Sequence, residues 1–242
     1  MSNTVRFGLS KLAIAVKGAE TGPSWQPTHA YAADATVTAS GNVYKVTTAG
    51  TSGSTAPTWP ATGTVTDGTV TWAYVSASSP YATPIMIPGA NSLDLSAEGK
   101  STTEYRDNVP YFSNFPNGGY TGTLQVARIP DEVAVAIWGW YIDTGGKLVE
   151  VADAKPKNFA LLYEIEGDED GERYVFYNVS AGRPTSKEST TSDSVSLVDQ
   201  TIDLTMSMTT IGGTKAIKSH CPADGADYEA WYDAVQLPKS AK

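Results

Sequence analysis

Residues able to do nucleophilic or metal chemistry are scarce in this chain: two histidines, His29 and His220, and one cysteine, Cys221. His220 adjoins Cys221, but sequence neighbours rarely point at one another, and catalytic partners normally come from separate elements. Neither histidine has the spacing of a zinc ligand pair. Gly118-Gly119 and Gly212-Gly213 lack the lysine and the spacing of a phosphate-cradling loop and read as turns. The acidic run Glu166, Asp168, Glu169, Asp170 and Glu172 lacks the alternating ligands and closing glutamate of a calcium loop, so it reads as a solvated hairpin tip. Asn178-Val179-Ser180 matches a glycosylation acceptor, yet it falls within a predicted strand. Arg128 and Arg183 stand alone and read as salt-bridge or interface groups. The expectation is a non-enzymatic protein with no catalytic residue, no cofactor and no metal, whose function lies in its surfaces.

The formal net charge is -9, and no cluster of Lys and Arg stands out, which argues against a partner held through phosphates. An acidic surface suits a channel that DNA crosses without sticking, and it also serves plain solubility. A single cysteine closes no intramolecular disulfide, which suits a reducing cytoplasm. Met1 to Val16 lacks the layout of a secretory signal, and no run of 18 apolar residues occurs, so neither secretion nor membrane insertion is expected.

Composition breaks near Lys17 and again near Pro80. The stretch between contains no Leu, Ile, Met, Phe or Cys, yet holds Trp25, Trp59, Trp72, Tyr31, Tyr44 and Tyr74. This predicts a small all-β module at 18–79 inserted in a larger domain formed by 1–17 and 80–242. Gly41-Asn42 and Asp67-Gly68 are its turn signals, the second a hairpin sign of the I′ type. In its last strand Val70, Trp72 and Tyr74 share one face by the period of two.

Outside the insert, Leu93-Asp-Leu-Ser alternates, a polar stretch through Tyr105 and Asn117 reads as a long loop, and alternation resumes from Tyr120 to Val126, giving one long hairpin. Pro130, Asp131 and Glu132 open a helix of about three turns, with Val133, Ala136, Ile137 and Trp140 at helical spacing and Gly139 or Gly145-Gly146 to end it. Phe159 to Glu166 and Arg173 to Ser180 form a second alternating hairpin. After a Ser/Thr-rich loop from Arg183 to Ser194, Ile202, Leu204, Met206 and Met208 alternate with Thr201, Asp203, Thr205 and Ser207. Tyr228, Trp231, Tyr232 and Val235 predict a short amphipathic helix. The fold class expected is mainly β with one flanking short α-helix.

Three stretches, Val5-Arg-Phe-Gly-Leu-Ser-Lys-Leu, Ile87-Pro-Gly-Ala-Asn-Ser-Leu-Asp-Leu with Glu98-Gly, and Thr102-Thr-Glu-Tyr-Arg-Asp-Asn, resemble the start of the siphophage major tail protein family, the tail tube subunits. Tyr120-Thr-Gly-Thr-Leu ahead of Ile129-Pro-Asp-Glu, Gly139, and the strands Phe159 to Glu164 and Tyr174 to Asn178 also fit. The resemblance covers residues 1 to 17 and 80 to about 210. It implies a β-sandwich or barrel-type tail tube fold, six copies per ring, and rings stacked in the phage virion. The partners implied are other copies of the chain, other tail proteins, and DNA that passes through the lumen without specific binding. The insert resembles the aromatic carbohydrate-binding-like modules of phage virion proteins, through Trp25-Gln-Pro, Tyr31, Gly41-Asn-Val-Tyr, Pro57-Thr-Trp and Asp67-Gly-Thr-Val-Thr-Trp.

Three sets of residues follow as candidate sites. Asp94, Ser96 and Glu98 with Thr201, Asp203 and Thr205 are expected to line the lumen, against the simpler reading of a solvent-facing sheet. Tyr105, Tyr111, Phe112 and Phe115, aromatics in a polar segment, are expected to contact neighbouring subunits or rings. Trp25, Tyr31 and Trp59 are candidates to stack on a cell-surface glycan, while Trp72 and Tyr44 read as core filling. Two rival readings stay open: a soluble carbohydrate-binding protein in which the module is the purpose, and a tail terminator or adaptor that forms a single ring.

Overall fold

The computed structural model describes residues 6–18, 23–40, 42–77, 79–167, 171–186, 199–211 and 214–239. Gly41, the acidic tip Asp168 to Asp170, most of the Ser/Thr-rich loop and the Gly212-Gly213 turn lie outside the described residues. The protein is mainly β with a single short helix. Its contacts divide it into two units, one of residues 1–17 with 83–242 and one of residues 18–82.

The larger unit is organised by a nine-stranded antiparallel sheet. Its order is Ile85–Met86, Arg6–Val16, Phe159–Gly167, Glu172–Ala181, Gln200–Met206, Gly119–Val126 and Ala90–Glu98. Thr185–Ser186 also pairs with Gln200–Met206, and Lys218–Cys221 with Glu172–Ala181. The alternating strands come out where the period of two puts them: Leu93 lies opposite Leu124, and Leu124 opposite Ile202. One face of the sheet carries the main core, in which Leu124, Ile202, Leu204, Met206, Leu161 and Phe176 are buried together.

The helix Asp131–Trp138 covers part of that core. Pro130 precedes its first turn, where a missing N–H costs nothing, and Asp131 and Glu132 sit at its positive end. Gly139 adopts the left-handed conformation, φ 70°, and its N–H caps the carbonyl of Val135 at 3.2 Å. The helix therefore stops after two turns rather than three. Trp138 is fully buried and donates through Nε1 to the Gly182 carbonyl at 3.0 Å, while Trp140, beyond the cap, stays half-buried.

Phe159 to Glu164 are all buried, on both faces of their alternating strand. The reason is the C-terminal segment: Trp231 and Val235 are buried, Trp231 Nε1 donates to the Tyr174 carbonyl at 3.4 Å and Tyr177 Oη to the Gln236 carbonyl at 2.9 Å. That segment is not a helix but a run of tight turns, with Tyr228 N bonded to Gly225 O and Trp231 N to Tyr228 O. Side-chain donors take the carbonyls a helix would offer to its fourth residue on, Arg173 at Tyr228 and Gln236 at Ala230.

The smaller unit holds a four-stranded antiparallel sheet, Thr36–Ala39, Asn42–Thr48, Val70–Ala77 and Thr64–Asp67 in that order, and a two-stranded piece, Ala30–Tyr31 with Gly50–Thr51. Its core is Tyr31, Val37, Tyr44, Val46, Val70 and Trp72. A unit this short of aliphatic residues fills its interior with rings.

Candidate assembly and binding surfaces

The strands Ala90–Glu98, Gly119–Val126 and Gln200–Met206 lie side by side, and their registers place polar residues in rows across one face. Asp94, Thr123 and Asp203 form one row, Ser96, Thr121 and Thr205 the next, and Ser92, Gln125 and Thr201 a third. Asp94, Ser96, Glu98, Asp203 and Thr205 are exposed and Thr201 half-buried. Hydroxyl donors tie the strip together: Thr121 Oγ1 to Glu98 Oε1 at 2.7 Å and Thr123 Oγ1 to Asp203 Oδ1 at 3.3 Å. All six residues singled out in the sequence thus share one face. The middle strand, with Thr121, Thr123 and Gln125, joins them; its alternation was visible, but its place between the other two was not. The named rows hold carboxylates, hydroxyls and amides and no lysine or arginine. Such a surface repels or slides past phosphate rather than gripping it.

Residues 101 to 118, expected to be a long loop, instead contain an antiparallel hairpin of Thr102–Arg106 and Val109–Asn114. Its turn, Asp107-Asn108, has φ of 51° and 63°. Left-handed conformations at both central residues match the twist of a hairpin, and Asp and Asn tolerate them best after glycine. That dipeptide was the legible signal. Every residue from 101 to 118 is exposed, with Tyr111 at 77%, Phe115 at 71%, Tyr105 at 60% and Phe112 at 56%. The hairpin returns to the sheet through Gly118, whose N–H reaches the Glu98 carbonyl at 2.7 Å, and Gly119, φ 94°, where a side chain would fall on the Met206 carbonyl oxygen.

In the aromatic unit, Asp67 organises the rings. It is the last residue of its strand rather than the first of the turn, which is made by Gly68 and Thr69. Its buried carboxylate accepts from Trp25 Nε1 at 2.8 Å, Trp72 Nε1 at 3.3 Å and the Gly53 N–H at 2.7 Å. Tyr44 and Trp72 are fully buried. Of the three glycan candidates, Tyr31 packs edge-on against Trp72 at 4.8 Å, and its hydroxyl accepts the Gln26 N–H at 2.8 Å, so little of its ring is offered. Trp25 and Trp59 are half-buried, 6.4 Å apart with planes at 74°. Two rings at that angle do not make one flat platform for a sugar.

A charged cluster beneath the C-terminal segment escaped the sequence reading. Glu164 is bonded by Arg173 Nε at 2.7 Å and by Lys11 Nζ at 2.9 Å, and the Arg173 guanidinium lies over the Tyr228 ring, 3.7 Å from its centre. Lys11 reaches Glu164 from an irregular stretch of its strand, at φ 47°. Burial pushes the Glu164 carboxyl up, but the bonds from Arg173 and Lys11 outweigh it and hold the carboxyl below its ordinary range. Burial also raises the Tyr232 phenol and the Cys221 thiol. His220 lies opposite Tyr174 in the neighbouring strand and stacks on its ring, and Cys221, the next residue, is buried. Among the described residues no group of three or more His, Cys, Asp or Glu could hold a metal ion, and no helix is long and apolar enough to cross a membrane.

No protein-family model matches this chain, and no curated protein sequence matches it significantly.

Proposed function

We propose that the chain is a tail tube (major tail) subunit of a long-tailed bacteriophage: a structural, non-enzymatic virion protein, made in the host cytoplasm, that self-assembles into stacked, hexameric rings around a channel for DNA. The observation that carries this reading is the hairpin Thr102–Asn114, exposed along its whole length with Tyr105, Tyr111 and Phe112 in water. A two-stranded ribbon with no cover is marginal on its own, and contiguous exposed aromatics mark a contact surface. The polar strip of Asp94, Thr123 and Asp203 adds the second requirement, a wall that offers DNA no cation to bind. The family resemblance in residues 1 to 17 and 80 to about 210 points the same way.

Electron microscopy of the purified protein at rising concentration tests it. Rings that stack into tubes support the reading; a single ring that never stacks moves it to a terminator or adaptor. A chain that stays monomeric and is retained by immobilised glycan overturns it in favour of a carbohydrate-binding protein acting through the half-buried Trp25 and Trp59.

A further inference from the structure

We draw no further inference here: the strongest candidate, the apolar surface patch that Tyr141 and Ile142 expose on the short hairpin pairing Tyr141–Ile142 with Leu148–Val149, carries nothing because nothing in the structure shows what covers it.

Discussion

Glu164 and Arg173 face each other across neighbouring strands and are joined by a 2.7 Å ion pair from which solvent is nearly excluded. The guanidinium continues onto the Tyr228 ring and the Tyr228 carbonyl, so one buried salt bridge ties the sheet to the C-terminal segment. Removing one partner of such a pair strands the other charge in the interior. Glu164→Gln is therefore expected to cost about 3 kcal/mol and to loosen residues 222 to 239 first. Urea unfolding followed by Trp231 fluorescence, with limited proteolysis of the C-terminal segment, checks both effects.

Acid should act on the same pair. The folded-state carboxyl of Glu164 titrates below its unfolded value, so the unfolded chain takes up the proton first as pH falls. Its stabilising contribution is whole above the ordinary glutamate value of about 4.3 and drains away as pH drops through the lowered native value. A melting temperature recorded from neutral pH downward should fall through this window in the wild type, and fall less steeply in Glu164→Gln. Equal slopes would count against the pair as an acid-sensitive tie.

Asp67 offers a parallel case in the small unit, where one carboxylate satisfies two indole N–H groups and the Gly53 N–H. Asp67→Ala leaves donors unpaired in a core of few residues, at about 1–3 kcal/mol for each buried one. Calorimetry should show the transition of the 18–82 unit lowered or lost while that of the larger unit stays in place. A single transition that shifts as a whole would show that the two units melt together.

The sequence made the mainly-β class, the helix with its Gly139 stop, and the strand pairs around Leu93, Leu124 and Ile202 legible, because each is written in local periodicity or in a residue with one conformational use. What it hid were relations across long separations. The burial of Glu164 depends on a C-terminal segment more than fifty residues away, so its strand alternates like a half-exposed one. The turn structure at Tyr228 to Val235 escaped because i, i+3, i+4 spacing describes burial equally well in a helix and in successive turns. The hairpin was masked by its polar composition, and only Asp107-Asn108 marked it. Of the candidate site, the polar faces of two strands were readable one by one, but their meeting across Thr121 to Gln125 needed the strand order.

The polar strip makes a prediction about DNA. Thr123 sits between Asp94 and Asp203, at the centre of the rows. Replacing it by lysine in the Asp203→Asn background removes one negative charge and adds one positive charge per copy, multiplied by the copies in a ring. Assembled wild-type tubes are expected to leave duplex DNA unretarded at low salt. Tubes of the double variant should bind it, with an affinity that falls steeply as salt rises. Because both positions face away from the core, the fold and the assembly should be unchanged. Retention by wild-type tubes would count against a lumen lined by this face.

The last prediction separates assembly from stability. Tyr111 and Phe112 are more than half exposed, at 77% and 56%, so the isolated subunit gains little from their rings. Alanine at both should change the monomer's unfolding free energy by no more than about 0.5 kcal/mol. In an assembly the same two side chains would be covered, and losing two buried aromatics at a contact costs on the order of 2 kcal/mol or more for each that is well packed. That corresponds to at least thirtyfold in critical concentration for one ring and far more for two. Sedimentation velocity on the double variant should therefore show folded monomer at concentrations where the wild type is polymeric, with circular dichroism unchanged. Tubes formed at wild-type concentration would mean that the hairpin stays in water in the assembled state, and the exposed aromatics would then need another partner.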